Sequence, residues 1–417
     1  MKQFISKILV FAALFILFSS FQQNPEKCIV KGKVIGVESD SVLIVKAGED
    51  FRFEGTFVPI KNNTFTWEKE IEHPVGYQLF LADFMKRGGG RFMNFIAEPG
   101  EIHITVHPEK EFDKNTVEGG KWNKVYNKFQ EKRSKKFDHI LQPLYDSSRT
   151  LVETGKYLSD TMSALSRQVR NAENDQRQKI MRKMQELRET GQDKSPLAQA
   201  ISEKIEKHHK EALDWDMEYI NHNPHVVSYF LLYDHISGYK SLLDIEKARK
   251  TFSKFSEKYP EHPYTESIKT ILESKTKIRK GGQFIDFSAP DTNGNVINLS
   301  EYIEGKIALI DFWSPWCGPC IRHSRTLVPV YNKYKDKGFT ILGVCQVRNK
   351  QRFDKVIREE SYPWVNLVEM NGKHNIWAKY GISNSGGKTF LIGSNGEILA
   401  VHPSAEEIVK ILEKNLE

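Results

Sequence analysis

The chain has 417 residues, of which 39% are hydrophobic and 28% are charged, and this length and composition fit two or three soluble domains with buried cores. The formal net charge of +7 is dispersed among acidic neighbours, without the basic and aromatic clusters of a nucleic-acid surface, so no nucleic-acid partner is predicted. Four cysteines are too few for a disulfide-stabilised scaffold.

The first 22 residues have the layout of a secretory signal. Lys2 and Lys7 flank the start of an entirely apolar run, residues 8–18, and two serines follow it. The run is shorter than the ~20 residues that a membrane-spanning helix needs. We therefore expect residues 1–22 to be a cleaved export signal, with a permanent anchor as the alternative, and the protein to lie in the periplasm or cell envelope.

Residues 27–118 alternate between apolar and polar side chains, as in Phe65/Trp67 and Ile102/Ile104, and clusters of turn residues separate the runs. This period of two predicts a small antiparallel β-sandwich. The segment is similar to a domain of unknown function found ahead of thioredoxin-like domains in envelope proteins. A spacer or docking role is expected for it.

Residues 119–280 change to a helical period. Apolar residues recur on one face of each predicted helix, and Ser195-Pro196 has the form of an N-cap followed by a first-turn proline. We expect five to seven helices in an irregular bundle. Four histidines are close in sequence: His208, His209, His222 and His225. The adjacent pair faces different sides of a helix and no further ligand has suitable spacing, so no metal site is predicted.

Residues 281–417 alternate strands and helices. The pattern predicts strands over 306–312 and 339–347, with a helix over 317–335 between them. A helix near 351–360, a C-terminal hairpin and a last helix from Ala405 complete an α/β domain. Open α/β sheets place their sites at the carboxyl ends of central strands, so the site is expected just after the first of these strands.

That position carries Cys317-Gly318-Pro319-Cys320. A helix that begins there directs unpaired backbone N–H groups and its positive dipole end at the first sulfur, which favours the reactive thiolate. The alternative interpretation is half of a zinc site, which needs a second pair of Cys or His ligands. The sequence contains no second C-x-x-C motif, so a redox site is predicted.

The run Asp311-Phe312-Trp313 followed by Trp316-Cys317-Gly318-Pro319-Cys320 resembles thioredoxins, and the flanking segments 282–287 and 293–300 resemble envelope-facing thiol-disulfide reductases of the TlpA/ResA type. The resemblance implies a thioredoxin fold. It also implies an exported oxidoreductase that reduces disulfides of envelope proteins. The redox-active disulfide would serve without another cofactor, and a membrane thiol-electron transporter would reduce it.

The resemblance also implies roles for individual residues. Cys317 would attack the substrate disulfide and Cys320, the more buried cysteine, would release the product. Asp311 would accept the proton from Cys320. Trp316, Gly318 and Pro319 would contact the substrate, and Gly318-Pro319 is the pair found in the reductant thioredoxin.

Two positions depart from the family pattern. His323 lies three residues after Cys320, where relatives commonly carry glutamate. Gly387 stands where a cis-proline normally packs against the disulfide, and Gly386 stands where the preceding residue pairs with substrate backbone. A cis bond before a non-proline residue costs ~2.5–4 kcal/mol, so a trans bond is expected, with glycine torsions making the turn and a wider, looser floor.

Cys28 and Cys345 lie in predicted strands and are expected to be small buried hydrophobic residues, although a redox role for Cys345 stays open. Two other functions are considered. Ser314 has the spacing of the hydroxyl residue that precedes a peroxidatic cysteine, which would make the chain a thiol peroxidase of the peroxiredoxin type. Alternatively, residues 27–280 make a binding protein and the redox domain is vestigial.

Overall fold

The computed structural model describes residues 26–52, 54–83, 90–238, 242–382 and 386–416. The chain divides into two compact units, residues 1–234 and residues 235–417, and each is described by itself. Within the described ranges, no helix combines the length and the apolar character that crossing a bilayer requires. The predicted signal, residues 1–22, lies outside those ranges.

The first unit begins with eight strands in two four-stranded sheets, ordered β4-β1-β7-β8 and β3-β2-β5-β6. The strands are β1 (Glu26–Val34), β2 (Ser41–Lys46), β3 (Thr56–Pro59), β4 (Thr64–Ile71), β5 (Val75–Leu81), β6 (Met93–Ala97), β7 (Gly100–Val106) and β8 (Thr116–Gly119). Trp67 on one sheet lies 5.1 Å from Tyr77 and 6.1 Å from Phe95 on the other, measured between ring centroids. These aromatic side chains fill the space between the sheets, as the period of two predicted.

One pairing differs from the antiparallel prediction. β1 is antiparallel to β4 but parallel to β7. The chain between β1 and β7 passes through the other sheet, so β7 returns beside β1 without a hairpin to fix its direction. Alternation of apolar residues specifies the buried face of a strand and not the direction of its partner.

Seven helices follow within the described residues up to position 277. They are α1 (Lys121–Glu153), α2 (Asp160–Asn171), α3 (Asn174–Glu189), α4 (Pro196–His222), α5 (Val226–Ser237), α6 (Ile245–Lys258) and α7 (Pro263–Lys277). Glycine precedes α1 and offers no side-chain cap. The buried Glu98 carboxylate replaces that cap and accepts the N–H groups of Lys121, Trp122 and Asn123 at 2.8–3.0 Å.

The four neighbouring histidines have separate partners on the helices. His208 is bonded to Glu211 at 2.8 Å, and His222 is bonded to the Glu218 carbonyl oxygen at 2.8 Å. His209 contacts the Tyr145 hydroxyl, and His225 accepts the Ser228 N–H at 3.2 Å. Each of the four imidazole rings is therefore held by a different partner residue.

The second unit contains a hairpin, β9 (Ser288–Pro290) and β10 (Val296–Asn298), and a five-stranded sheet ordered β13-β12-β11-β14-β15. Its strands are β11 (Ile307–Trp313), β12 (Phe339–Val347), β13 (Val365–Met370), β14 (Lys388–Ile392) and β15 (Ile398–Val401). Its helices, besides α6 and α7, are α8 (Leu299–Ile303), α9 (Gly318–Tyr334), α10 (Lys350–Glu360), α11 (Ile376–Lys379) and α12 (Ala405–Leu416). β11 and β12 run parallel, and β14 is antiparallel to β11. This is the predicted thioredoxin fold.

The unit starts earlier than the redox segment expected from the sequence. Residue 281 marks the change in sequence pattern, but α6 and α7 pack with the C-terminal fold. Ile278, just after α7, contacts the core cluster on one face of the sheet. Tyr264, Ile268 and Leu272 of α7 are buried. Packing of this apolar face places the last two predicted bundle helices with the sheet.

The central strand β11 is buried along its whole length. Ala308, Ile310 and Phe312 belong to the core on one face of the sheet, whereas Leu309 and Trp313 pack in the clusters on the opposite face with residues of α9. Alternation therefore directs Asp311 to the α9 side. The strand ends at Trp313, where the chain turns into the cysteine motif.

Candidate active site

The turn between β11 and α9 holds the two cysteines. The Cys317 N–H donates to the Ser314 carbonyl oxygen at 3.0 Å, and Cys317 is the N-cap residue of α9. Its sulfur accepts the Cys320 N–H at 3.3 Å. Pro319 lies in the first turn, where its missing N–H group would have had no partner within the helix. The sequence thus places Cys317 at the positive end of the helix dipole.

Cys317 and Cys320 form a disulfide whose Cα atoms are 5.3 Å apart. Gly318 and Pro319 between them are exposed, and both cysteines are half-buried. Cys320 packs against the cluster that contains Trp313. In this oxidised form the two sulfur-bearing residues differ less in exposure than the predicted contrast between an exposed Cys317 and a buried Cys320.

Asp311 lies in the interior on the α9 side of β11, with 2% of its surface exposed. Its Oδ2 accepts a hydrogen bond from the Ser324 hydroxyl at 2.6 Å. The same hydroxyl lies 3.1 Å from the Cys320 carbonyl oxygen. Burial raises the pKa of Asp311 from 3.8 to about 6, and the Ser324 hydrogen bond opposes that rise. Asp311 can therefore exchange a proton near neutral pH.

Two further titratable groups, Cys345 and Tyr362, are close enough to Asp311 to be affected by its charge. Burial raises the pKa of Cys345 well above its ordinary value, and the Asp311 carboxylate raises it further. Burial also raises the pKa of the Tyr362 hydroxyl, with Glu360 and then Asp311 adding to the rise and Ser324 opposing it. Both groups therefore stay protonated beside Asp311, and neither competes with it for the role of base.

The cysteines outside the motif are sealed from solvent. Cys28 and Cys345 have no exposed surface. Burial raises the pKa of Cys28 to about 11, which suppresses its thiolate. This burial agrees with the interpretation of both residues as small hydrophobic side chains.

Gly387 approaches the disulfide more closely than the sequence suggested. A Cβ atom at this position would lie 2.1 Å from the Phe312 carbonyl oxygen and 2.7 Å from the Cys320 sulfur. The bond between Gly386 and Gly387 is trans, and Gly387 has no positive φ. The expectation of a wider, looser floor made by glycine torsions is therefore wrong. The backbone at Gly387 lies so close to the sulfur that a Cβ atom would not fit, and glycine is required by this contact.

Trp316 lies in the turn before α9, and His323 lies on α9 one turn after Cys320. Trp316 is half-buried, and the Arg348 guanidinium lies 5.8 Å from the centroid of its ring. The His323 ring is 5.5 Å from the His402 ring. Burial, and then His402, lowers the pKa of His323, so its imidazole is neutral at neutral pH.

Sequence reasoning missed Ser324, Tyr362 and His402. Ser324 follows Cys320 by one helical turn, and this spacing could have placed its hydroxyl on the inner face of α9. Tyr362 and His402 come from segments distant in sequence, and their approach depends on how α10 and β15 pack.

The fold and this arrangement define a thioredoxin-like protein with a redox-active cysteine pair.

Comparisons with known proteins agree with that class. Residues 281–401 match the AhpC/TSA family, and residues 28–126 match a domain of unknown function, DUF4369. The chain is similar to the thiol-disulfide oxidoreductase ResA of Geobacillus kaustophilus, with 30% identity over 124 residues that cover 30% of this chain and 69% of the relative. ResA of Halalkalibacterium halodurans is 29% identical over 128 residues, which cover 31% of this chain and 70% of the relative.

Solved structures of similar proteins align with about one third of the chain. The thioredoxin domain of a thiol-disulfide oxidoreductase from Bacteroides vulgatus shares 26% identity and covers 34% of this chain and 100% of that domain, with a TM-score of 0.31. A thiol:disulfide interchange protein from Bacteroides sp. shares 28% identity, also with a TM-score of 0.31. The alignment covers 33% of this chain and 91% of that protein. From its sequence relatives, the chain belongs to the thioredoxin-like family of ResA-type thiol-disulfide oxidoreductases.

Proposed function

We propose that this oxidoreductase reduces disulfides of cell-envelope proteins by exchange at Cys317 and Cys320, with Asp311 as the base. The arrangement that carries the proposal is the disulfide at the N-terminus of α9 with the Asp311–Ser324 pair beneath Cys320. The disulfide is itself the redox centre, and the reaction uses no other cofactor.

In the first step the reduced protein attacks its substrate. The Cys317 thiolate forms a bond to one sulfur of the substrate disulfide, and the other substrate sulfur leaves as a thiolate that takes a proton from water. The N–H groups at the start of α9 stabilise negative charge on Cys317. Exposed Gly318 and Pro319 leave the sulfur accessible from the outside of the turn.

In the second step Cys320 releases the product. Cys320 passes its proton to Asp311 and attacks the Cys317 sulfur, which expels the second substrate thiolate and forms the disulfide again. The dithiol loses two electrons and the substrate disulfide gains them. A carboxylate whose pKa is about 6 is ionised at neutral pH and can accept this proton.

Replacing Asp311 with asparagine is expected to slow product release and, at neutral pH, to stabilise the oxidised protein. Because folding raises the pKa of Asp311 from 3.8 to about 6, its contribution to stability is present at low pH and lost as the pH rises through about 6. Urea unfolding should show the advantage of Asp311→Asn growing by about 2–3 kcal/mol between pH 4 and pH 7.

Ser324→Ala is the matched comparison for Asp311→Asn. It removes the hydroxyl that favours the ionised form but keeps the carboxylate, so the stability of this variant should depend on pH more steeply than the stability of the wild type. A constant difference between Asp311→Asn and wild type across this pH range would show that Asp311 does not titrate as described.

The pair Gly318-Pro319 predicts a reductant. Equilibration of Cys317/Cys320 with glutathione buffers should give a potential nearer to about −270 mV, the thioredoxin value, than to about −120 mV, the value of the oxidant DsbA. A potential above about −180 mV would make the protein an oxidant or isomerase and would contradict the proposed direction of electron flow.

The cellular location and the electron donor are part of the same proposal. The sequence of residues 1–22 favours export. An exported space lacks a reducing thiol buffer, so a membrane thiol-electron transporter would return the disulfide to its dithiol form. Residues 27–280 would serve as a spacer or docking module. Recovery of the native protein from the cytoplasmic fraction alone would refute this location.

A further inference from the structure

Three arginines lie against the cysteine motif, and a lysine follows Gly387 in the chain. Arg322 on α9 has its Nη1 atom 3.4 Å from the position that a Cβ atom on Gly318 would take. Arg352 on α10 donates from Nε to the Pro315 carbonyl oxygen at 3.3 Å. The remaining two are Arg348, which lies over the Trp316 ring, and Lys388, which directly follows Gly387. We call Arg322, Arg348, Arg352 and Lys388 the cationic rim.

Three members of this rim, Arg322, Arg352 and Lys388, have no ion pair among the described residues. Cations slightly farther along the same helices behave differently. Arg325 is bonded to Glu360 at 2.6–2.7 Å, and Lys350 is bonded to Asp354 at 2.8 Å. Arg325 and Lys350 are therefore neutralised by neighbouring carboxylates, whereas Arg322 and Arg352 at the motif are not.

The carboxylate nearest to the chemistry cannot balance the rim. Asp311 is buried, and its hydrogen-bond donor is the Ser324 hydroxyl on the inner side of α9. The His402 imidazole beside Lys388 is neutral at neutral pH, because burial and then the Lys388 charge lower its pKa. The surface that a substrate meets is therefore positive around a half-buried disulfide.

We propose that the substrate disulfide lies in an acidic protein segment, with carboxylates flanking its cysteines. This inference rests on the proposed function and names its class of substrate. Guanidinium groups bind carboxylates with charge-assisted hydrogen bonds, so Arg322 and Arg352 would hold such flanks beside Cys317. Basic flanks would meet like charge at the same distance and would be rejected.

The test uses the full-length protein, reduced beforehand and freed of reductant. Three cyclic peptides of one sequence carry the same disulfide with glutamate, glutamine or lysine on both sides. Single-turnover rates are measured for each peptide and divided by its rate of reduction with dithiothreitol, which corrects for the effect of the flanks on the peptide's own reactivity. In each turnover, one peptide disulfide is reduced as one Cys317–Cys320 disulfide forms.

The corrected rate should be at least about tenfold higher for the glutamate peptide than for the lysine peptide at low ionic strength. The ratio should fall toward one near 1 M salt, where the Debye length is about 3 Å. The double variant Arg322→Gln/Arg352→Gln should lower the ratio severalfold. The control Lys335→Gln/Arg358→Gln makes the same change in net charge away from the motif and should keep the wild-type ratio.

The outcomes separate this inference from the function on which it rests. Equal corrected rates for all three peptides in wild type, or equal losses in the two double variants, would overturn the acidic substrate and leave the oxidoreductase intact. Failure to reduce any of the peptides, while dithiothreitol reduces them all, would overturn the proposed function itself. The salt series on wild type needs no substitution and decides the question if a variant fails to fold.

Discussion

Replacing Gly387 with alanine is expected to destabilise the oxidised protein by about 1–3 kcal/mol, the usual cost of overpacking a filled interior. The new Cβ atom would lie 2.1 Å from the Phe312 carbonyl oxygen and 2.7 Å from the Cys320 sulfur. Neither atom can turn aside, because one belongs to the backbone of β11 and the other to the disulfide. The strand or the loop must move, and urea unfolding of the oxidised form measures the result.

Gly386→Ala is the matched control, since no atom of the described residues lies within 4 Å of a Cβ atom at that position. Both variants replace a glycine by alanine, so they change the unfolded chain similarly. Neither glycine has a positive φ, so the two variants differ in the contact with the disulfide. Equal unfolding midpoints for the two variants would show that the loop yields freely and that the close approach of Gly387 is not required.

The redox domain was predictable in detail where a local pattern determines the structure. β11, α9 and β12 begin and end within one residue of the predicted bounds, because a buried strand, a capped helix and a second buried strand follow one another. Asp311 was recognisable because a carboxylate within an apolar strand needs a particular reason to be buried.

The site was less predictable where distant segments meet. The sequence identified Asp311 but not its hydrogen-bond donor Ser324, because a serine inside a helix has no distinctive pattern. Gly387 was identified, but the reason for a glycine at this position was misjudged. Glycine can permit an unusual backbone torsion or a close contact, and the sequence does not distinguish the two. The cationic rim also went unnoticed, since its four members come from α9, α10, β14 and the turn between β12 and α10.

Larger arrangements were less predictable for the same reason. The parallel pairing of β1 with β7 joins strands that are separated by the whole second sheet. The alternation of side chains along a strand does not indicate whether its partner runs parallel or antiparallel. The division of the helical segment between two units depends on which apolar faces pack together, and α7 shows the same helical periodicity in either arrangement.

Exchanging either cysteine for serine should have the largest effect on activity, and in different ways. Cys317→Ser removes the attacking sulfur and should lower disulfide reduction at least about a thousandfold. Cys320→Ser keeps the attack but removes the sulfur that releases the product. This variant should therefore accumulate a covalent complex with its substrate through Cys317.

The mass of reduced Cys320→Ser after incubation with a protein disulfide tests the central claim most directly. We predict an adduct whose mass is the sum of both proteins, reversed by dithiothreitol and absent from Cys317→Ser. An adduct of equal yield in Cys317→Ser would contradict the assigned roles. If the disulfide left Cys320→Ser unmodified while peroxide rapidly oxidised Cys317, the protein would be a thiol peroxidase and not a disulfide reductase.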